Sequence, residues 1–423
     1  MPTATPTLTP GEAVARRTVT AYTLTPEQFR KSDALHRTSV ALSLTSTLFG
    51  LAMLALLIAT RFAPKLQRVV EVISRKRYVQ AVIFIPTLLV TLALVEFPLA
   101  LYAHHISRAY GLSVQGWGSW LADCAKAELL NVSFTSLGVW LLYELIRRAP
   151  RRWWLYAWLA ALPIMAAIVF AAPVLIDPLF NRFDPLANTN PALATQLRTL
   201  AQTAGLDIPL SRIFLMHASD KVTTYNAYVT GFGATKRIVV WDTTARDLTV
   251  PQTLFIFGHE MGHYVLHHIY LGMAFAALLL LVGFFLTQRL AQAALARFGP
   301  RCHIRALGDW SSLPLLMLLA SLLSFFGEPP ANVFSRWEEH QADIFGLAVT
   351  SAGPRPNAGE LRSRPITPDA AQVAAQTFQL LGEKSYSYPE PSPLLVFWSY
   401  SHPPIAQRIR FALASPAATR QLP

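Results

Sequence analysis

Six apolar stretches, each long enough or nearly long enough to cross a bilayer, constrain this chain more than any other feature. A hydrocarbon core takes about 20 helical residues to span. The stretches cover about Thr38–Ala63, Tyr78–Ala103, Glu128–Ile146, Trp153–Ile176, Ile269–Leu290 and Leu313–Phe326. Inside lipid every backbone N–H and C=O must be satisfied within the segment, so these stretches are expected as helices. The last is short and is expected to continue across Pro329 and Pro330 as a kinked or re-entrant element. Composition agrees: 53% of the 423 residues are hydrophobic and 14% charged, against about 25% charged in soluble domains. The net charge of +12 sits in short stretches between the apolar runs, as the positive-inside effect and anionic lipid predict. No basic patch accompanies a recognition motif, so nucleic acid is excluded as a partner and the lipid bilayer is expected. Two cysteines, Cys124 and Cys302, are too few for a disulfide framework or a thiolate metal site.

The runs divide the chain. Residues 1–37 are polar and Pro/Thr-rich, with no apolar core for a cleavable signal. Residues 38–176 hold four spans, 177–268 form a polar region, 269–327 hold two spans, and 328–423 form a second polar region. In the first polar region, Pro191–Ala204 reads as an amphipathic helix and Arg212–Met216 as a short strand. Asn226–Phe232 and Arg237–Asp242 read as a hairpin around Gly233-Ala234-Thr235. Pro251 opens a helix, a favourable first-turn position for proline. The second region carries helices over about Asn332–Val349 and Ala370–Leu381, and Ser351–Pro368 is the stretch expected to be disordered. The fold class expected is therefore mainly α: a polytopic membrane helix bundle of about six spans, with a polar domain containing a small β-sheet.

The chemistry concentrates in Gly258-His259-Glu260-Met261-Gly262-His263. Positions i and i+4 share a helix face, so both imidazoles reach one tetrahedral Zn²⁺. Glu260 is rotated about 100° from His259 and lies beside the metal without ligating it, as a general base for zinc-activated water requires. The motif alone is only moderately specific. Its uncharged flanks, Leu254–Phe257 and Tyr264–Leu266, indicate a buried helix, and a buried His-Glu-His face needs a reason. The third ligand is expected on another element. Glu338 and Glu339 are both available, and Asp343, four residues beyond Glu339, favours that one, since it could fix a ligand histidine's tautomer. His402, ahead of Pro403-Pro404, is a rigid loop histidine. We read His267 and His268 as an interfacial pair.

With these motifs placed, the chain resembles the type 1 CAAX-prenyl proteases, membrane-embedded zinc peptidases of the gluzincin group in the M48 family. The resemblance rests on six blocks in order: Asp177–Leu186, Asn226-Ala227-Tyr228, Lys236–Thr243, the HEMGH helix, Ser335-Arg336 with Glu339 and Gln341-Ala342-Asp343, and Ser401–Pro404 with Arg408. It implies Glu339 as third zinc ligand, Asp343 as partner of a ligand histidine, His402 steadying the oxyanion and Arg408 bracing the site. It implies that Asn226, Ala227 and Tyr228 form the edge strand that pairs with an extended peptide or protein substrate, lipidated where the source makes prenylated proteins. It also implies spans that enclose a chamber, and a zinc site on the cytoplasmic side. The loop charges conflict with that sidedness: Arg61–Arg77, Arg147–Arg152 and Arg289–Arg305 are rich in Arg and Lys and read as cytoplasmic. The extra N-terminal span of eukaryotic members has no counterpart before Thr38.

Two other readings fit the residues less well. A site-2-type intramembrane protease uses a downstream Asp-Gly pair, and the chain contains none. A non-enzymatic membrane protein with structural zinc needs four protein ligands, whereas three plus an open position marks a catalytic site.

Overall fold

The computed structural model describes residues 8–231, 236–351 and 366–415. Thus the Gly233-Ala234-Thr235 turn and most of Ser351–Pro368 lie outside the described residues. A short helix α1 (Pro10–Ala15) precedes α2 (Pro26–Ala59), α3 (Phe62–Ile73), α4 (Arg77–Ala109), α5 (Trp117–Arg148) and α6 (Trp153–Leu175). The first polar region follows with α7 (Asp177–Phe180), β1 (Phe183–Pro185), α8 (Leu186–Thr189), α9 (Pro191–Thr203), β2 (Ile213–Met216), β3 (Ala227–Thr230), β4 (Arg237–Trp241), α10 (Asp242–Asp247) and α11 (Val250–Val265). The chain continues with α12 (His268–Cys302), α13 (Leu313–Ser351), α14 (Pro368–Ser385), α15 (Pro393–Ser399) and α16 (Ile405–Ala414).

Among the described residues, six helices are long and apolar enough to cross a membrane: α2, α4, α5, α6, α12 and α13. Helix α2 starts at Pro26, well ahead of the apolar run, because Thr25 and Gln28 close a capping box there. Helix α13 runs unbroken through Pro329-Pro330, so the sixth span and the helix expected over Asn332–Val349 are one rod. Each of the six packs on two others: α2 on α4, α4 on α5, α5 on α6, α6 on α12, α12 on α13, and α13 back on α2. The ring is closed. With neighbours about 8–10 Å apart, opposite members of such a ring stand about 16–20 Å apart, too far to pack on each other, and no opposite pair packs extensively. The apolar windows of α6 and α12 accordingly contain no buried residue.

The three basic loops gather at one end of the ring. Arg61 Nε donates to Arg301 O at 3.2 Å, and Gln288 Nε2 to Pro150 O at 3.3 Å. A small core closes that end, with Phe84, Tyr143, Trp153, Trp310 and Leu313 all buried.

At the other end lies the polar domain. Its sheet has the order β1-β2-β4-β3, with β2 and β4 parallel and the other pairs antiparallel. Alternation sends Ile213, Leu215, Ile238 and Val240 to one face, where they meet Leu193 and Leu197 of α9, Phe257 and Met261 of α11, and Phe345 and Val349 of α13. The polar N-terminal segment is sewn onto this domain. Val19 and Tyr22 bury against Phe255, Phe378 and Ile409. Gln252 Nε2 donates to Gly11 O at 3.1 Å, and Gln376 Nε2 to Ala15 O and Arg17 O at 3.1 and 2.8 Å.

Candidate metal centre

Helices α11 and α13 cross where both carry small residues. A Cβ on Gly258 would fall 2.8 Å from Val349 Cγ1, one on Gly262 3.0 Å from the Ala342 Cα, and one on Gly346 3.0 Å from the His259 N. Side chains seldom approach so closely, so a Cβ there would push the neighbours aside, and glycine lets the two backbones lie close. The contact brings the His259-His263 face of α11 against Glu339 on α13.

One ligand atom from each of His259, His263 and Glu339 lies within 4.8 Å of the others. Nε2 of His259 is 3.2 Å from Nε2 of His263 and 3.3 Å from Glu339 Oε2. Nε2 of His263 is 3.4 Å from Glu339 Oε1. Donors about 2.0–2.1 Å from one tetrahedral ion stand about 3.3–3.4 Å apart, which these separations match. Glu339 is 6% exposed, and its buried Oε2 has no hydrogen-bond partner among the described residues although an imidazole nitrogen is nearby. A buried carboxylate oxygen left this way is costly. The donor set, soft enough for zinc and arranged around a common point, fits that ion.

The surroundings of the three differ. His259 Nδ1 is 2.9 Å from Asp343 Oδ1, and Asp343 accepts two bonds from Arg408, from Nε at 2.9 Å and Nη2 at 2.6 Å. Burial acts most strongly on His259 and pushes its pKa down, yet the carboxylates of Asp343 and Glu339 beside it reverse this and leave it at about 9. Glu260 accepts no hydrogen bond among the described residues, and burial pushes its carboxyl up against the opposing influence of His259 and His263. His402 Nε2 approaches Glu339 Oε1 at 3.2 Å, and its side chain is 59% exposed. Burial lowers its pKa, while Glu339 resists. His402 stands outside the group of three. Its loop is carried by α13: Arg336 Nη1 donates to Val396 O at 2.7 Å and also to Tyr400 O.

Strand β3 lies at the sheet's edge, paired on one side to β4 and packed beside α11. Asn226 precedes it, its N–H bonded to Thr244 Oγ1 at 2.9 Å and its Oδ1 accepting from Ala227 N at 2.8 Å. Ala227 is buried. Tyr228 Oη reaches toward Asp177 at 3.4 Å. The edge backbone is therefore the part of this segment free to meet another chain.

Two things escaped the sequence. Gly258, Gly262 and Gly346 set the helix contact, and small residues facing each other at the spacing of the two motifs were the available signal. His268 is not a surface residue paired with His267: it is 4% exposed, and its Nδ1 is 3.0 Å from His263 Nδ1.

A closed ring of spans, capped by a domain in which an HExxH helix meets a glutamate from a separate helix, defines a membrane metalloprotease. The chain belongs to peptidase family M48, whose pattern it matches over residues 187–415. Residues 14–182 match the CAAX prenyl protease N-terminal domain of five membrane helices; that stretch holds four of the six spans and α3. An uncharacterized metalloprotease, YhfN of Bacillus subtilis, is 35% identical over 84% of this chain and 78% of its own length. The human CAAX prenyl protease 1 homolog is 25% identical over 78% of this chain and 73% of its own length. The crystal structure of S. mikatae Ste24p superposes with a TM-score of 0.77 at 23% identity, over 92% of this chain and 90% of that one, which establishes the fold. The protein is thus an integral, multi-pass membrane metalloprotease of a zinc family.

Proposed function

We propose that His259, His263 and Glu339 hold one Zn²⁺ per chain and that the site hydrolyses an extended peptide segment presented at the membrane. The observation that carries this reading is the convergence of three donors from two helices, His259 and Glu339 buried and His263 half-buried, with no hydrogen-bond partner for Glu339 Oε2 among the described residues. Zinc bound there supplies Lewis acidity, polarising the scissile carbonyl and making water a nucleophile near neutral pH.

The chain's own residues do the rest. Glu260, with no hydrogen bond among the described residues and raised by burial, takes the proton from water and returns it to the leaving amine. His402, at the rim, donates from Nε2 to the carbonyl oxygen as negative charge develops. Asp343, gripped by Arg408, keeps the His259 proton on Nδ1 and its Nε2 lone pair turned inward. The free edge of β3, reached through Asn226, Ala227 and Tyr228, receives the substrate as an added strand and sets its register. The ring of spans and the zinc-side domain, divided near the notional boundaries 38–176, 177–268, 269–327 and 328–423, act as container and blade. The relatives named as CAAX prenyl proteases support C-terminal processing of lipidated proteins as one substrate class, with turnover of membrane proteins as the other.

Glu260→Gln tests the mechanism. Cleavage of a generic peptide should fall by about 10²–10⁴-fold while bound zinc, measured by elemental analysis, stays near one per chain. Turnover at the original rate discards the assignment of the base.

A further inference from the structure

A metal-ligating histidine needs its distal nitrogen held, because that bond fixes both tautomer and ring plane. On the assignment above, His259 has Asp343 for this purpose. His263 has a different partner, the ring of His268. Nδ1 of His263 and Nδ1 of His268 are 3.0 Å apart, and the rings meet edge to face, with centroids 5.1 Å apart and planes at 73°. The Trp337 ring also lies against His268, its centroid 6.0 Å away.

Two ring nitrogens at this distance share one proton. The Nε2 of His263 faces Nε2 of His259 and Glu339, so as a ligand it carries a lone pair there and its proton sits on Nδ1. That proton points at His268, whose Nδ1 accepts and whose own proton is then on Nε2. We infer that His268 is a positioning residue: it fixes the tautomer and ring plane of His263 for the metal. The inference rests on the zinc assignment and deepens it. It makes the two histidine arms unequal, one held by an anion braced by Arg408 and the other by a neutral ring.

The backbone explains why a residue five positions on can do this. In an unbroken helix, His268 would lie about 140° around from His263. The helix instead ends at Val265, His267 takes a left-handed conformation with φ 62°, and α12 restarts at His268. The break swings His268 back over His263. His267, the residue at helical spacing, is used up in the turn and packs edge-on near Tyr270.

The test uses the full-length chain, purified in detergent and loaded with zinc, and reads transfer of zinc to a chelator together with the visible bands of the cobalt(II)-substituted protein. His268→Leu removes the acceptor at similar volume and should speed zinc transfer by about 10–100-fold and shift the cobalt bands. His268→Asn, whose Oδ1 can accept at the same reach, should stay near the original rate. Leucine behaving like the original protein, or asparagine failing as badly as leucine, overturns the inference. Should the leucine variant not fold, His268→Asp decides: an anionic acceptor should slow zinc transfer and move the bands relative to asparagine, and an Asp variant indistinguishable from Asn overturns it. Glu339→Ala is the control for the underlying assignment. If it keeps zinc, the ligand set is wrong; if it loses zinc while His268 variants are inert, only the role of His268 falls.

Discussion

The ring of spans and the capping domain are both helical, yet they use packing in opposite ways. In α11, Phe255 to His259 are buried without interruption, and its glycines leave no room for a methyl group. In the ring, α6 and α12 have apolar windows with no buried residue, and a Cβ on Gly138 of α5 or Gly283 of α12 would meet nothing within 4 Å. Lipid supplies no hydrophobic drive for helices to come together, so the ring can stay loose around an interior. The cap has to hold four side chains to within fractions of an ångström and is packed to do so.

The contrast is sharpest at Asp343, a buried charge in the tight region. Asp343→Ala leaves Arg408 buried without its anion, which should cost about 3–5 kcal/mol and release the metal; thermal unfolding in detergent with zinc analysis checks both. A variant as stable as the original would mean that the cap tolerates loss as the ring does. Next in size is the proton balance at His259. Without metal its imidazole keeps a proton up to about pH 9, and an ion must displace it. Zinc affinity should therefore rise with pH, by about tenfold per unit between about pH 6 and 8. For the metal-free fold the sign is opposite, because a pKa raised above the unfolded value near 6.5 gives stability that is complete below about 6.5 and lost as pH rises through about 9. Zinc competition titrations and melting curves of the metal-free protein separate the two slopes; an affinity flat in pH shows that His259 binds no such proton. The smallest effects compare glycines directly. Gly262→Val should cost about 1–3 kcal/mol by overpacking, whereas Gly138→Ala should be neutral or gain less than about 1 kcal/mol. Equal melting shifts for the pair would erase the distinction between the regions.

What could be read from the sequence follows the same divide. The spans were legible because length and hydropathy suffice in lipid, and the His259-Glu260-His263 spacing was legible because an i, i+4 pair carries its geometry with it. Glu339 was narrowed by Asp343 one turn on. The role of His268 was not legible, since it depends on a left-handed residue at His267 that no periodicity announces. Pro329-Pro330 suggested a kinked or re-entrant continuation, whereas both prolines lie inside one continuous helix. The N-terminal segment looked merely polar, because Val14, Val19 and Tyr22 are isolated apolar residues with no repeat, although each is buried against the cap.

That attachment has a consequence for the order of events during synthesis. Thr23 is bonded in both directions to Gln379, and Tyr22 Oη donates to Ser387 O at 2.9 Å, so these residues wait for partners made 356 and 365 positions later. His402 and Arg408 emerge later still. A nascent chain already threaded into the bilayer therefore holds Tyr22 and Thr23 undocked until α14 and the turn after it have left the ribosome, and one stalled before that point carries a cap without its N-terminal seam.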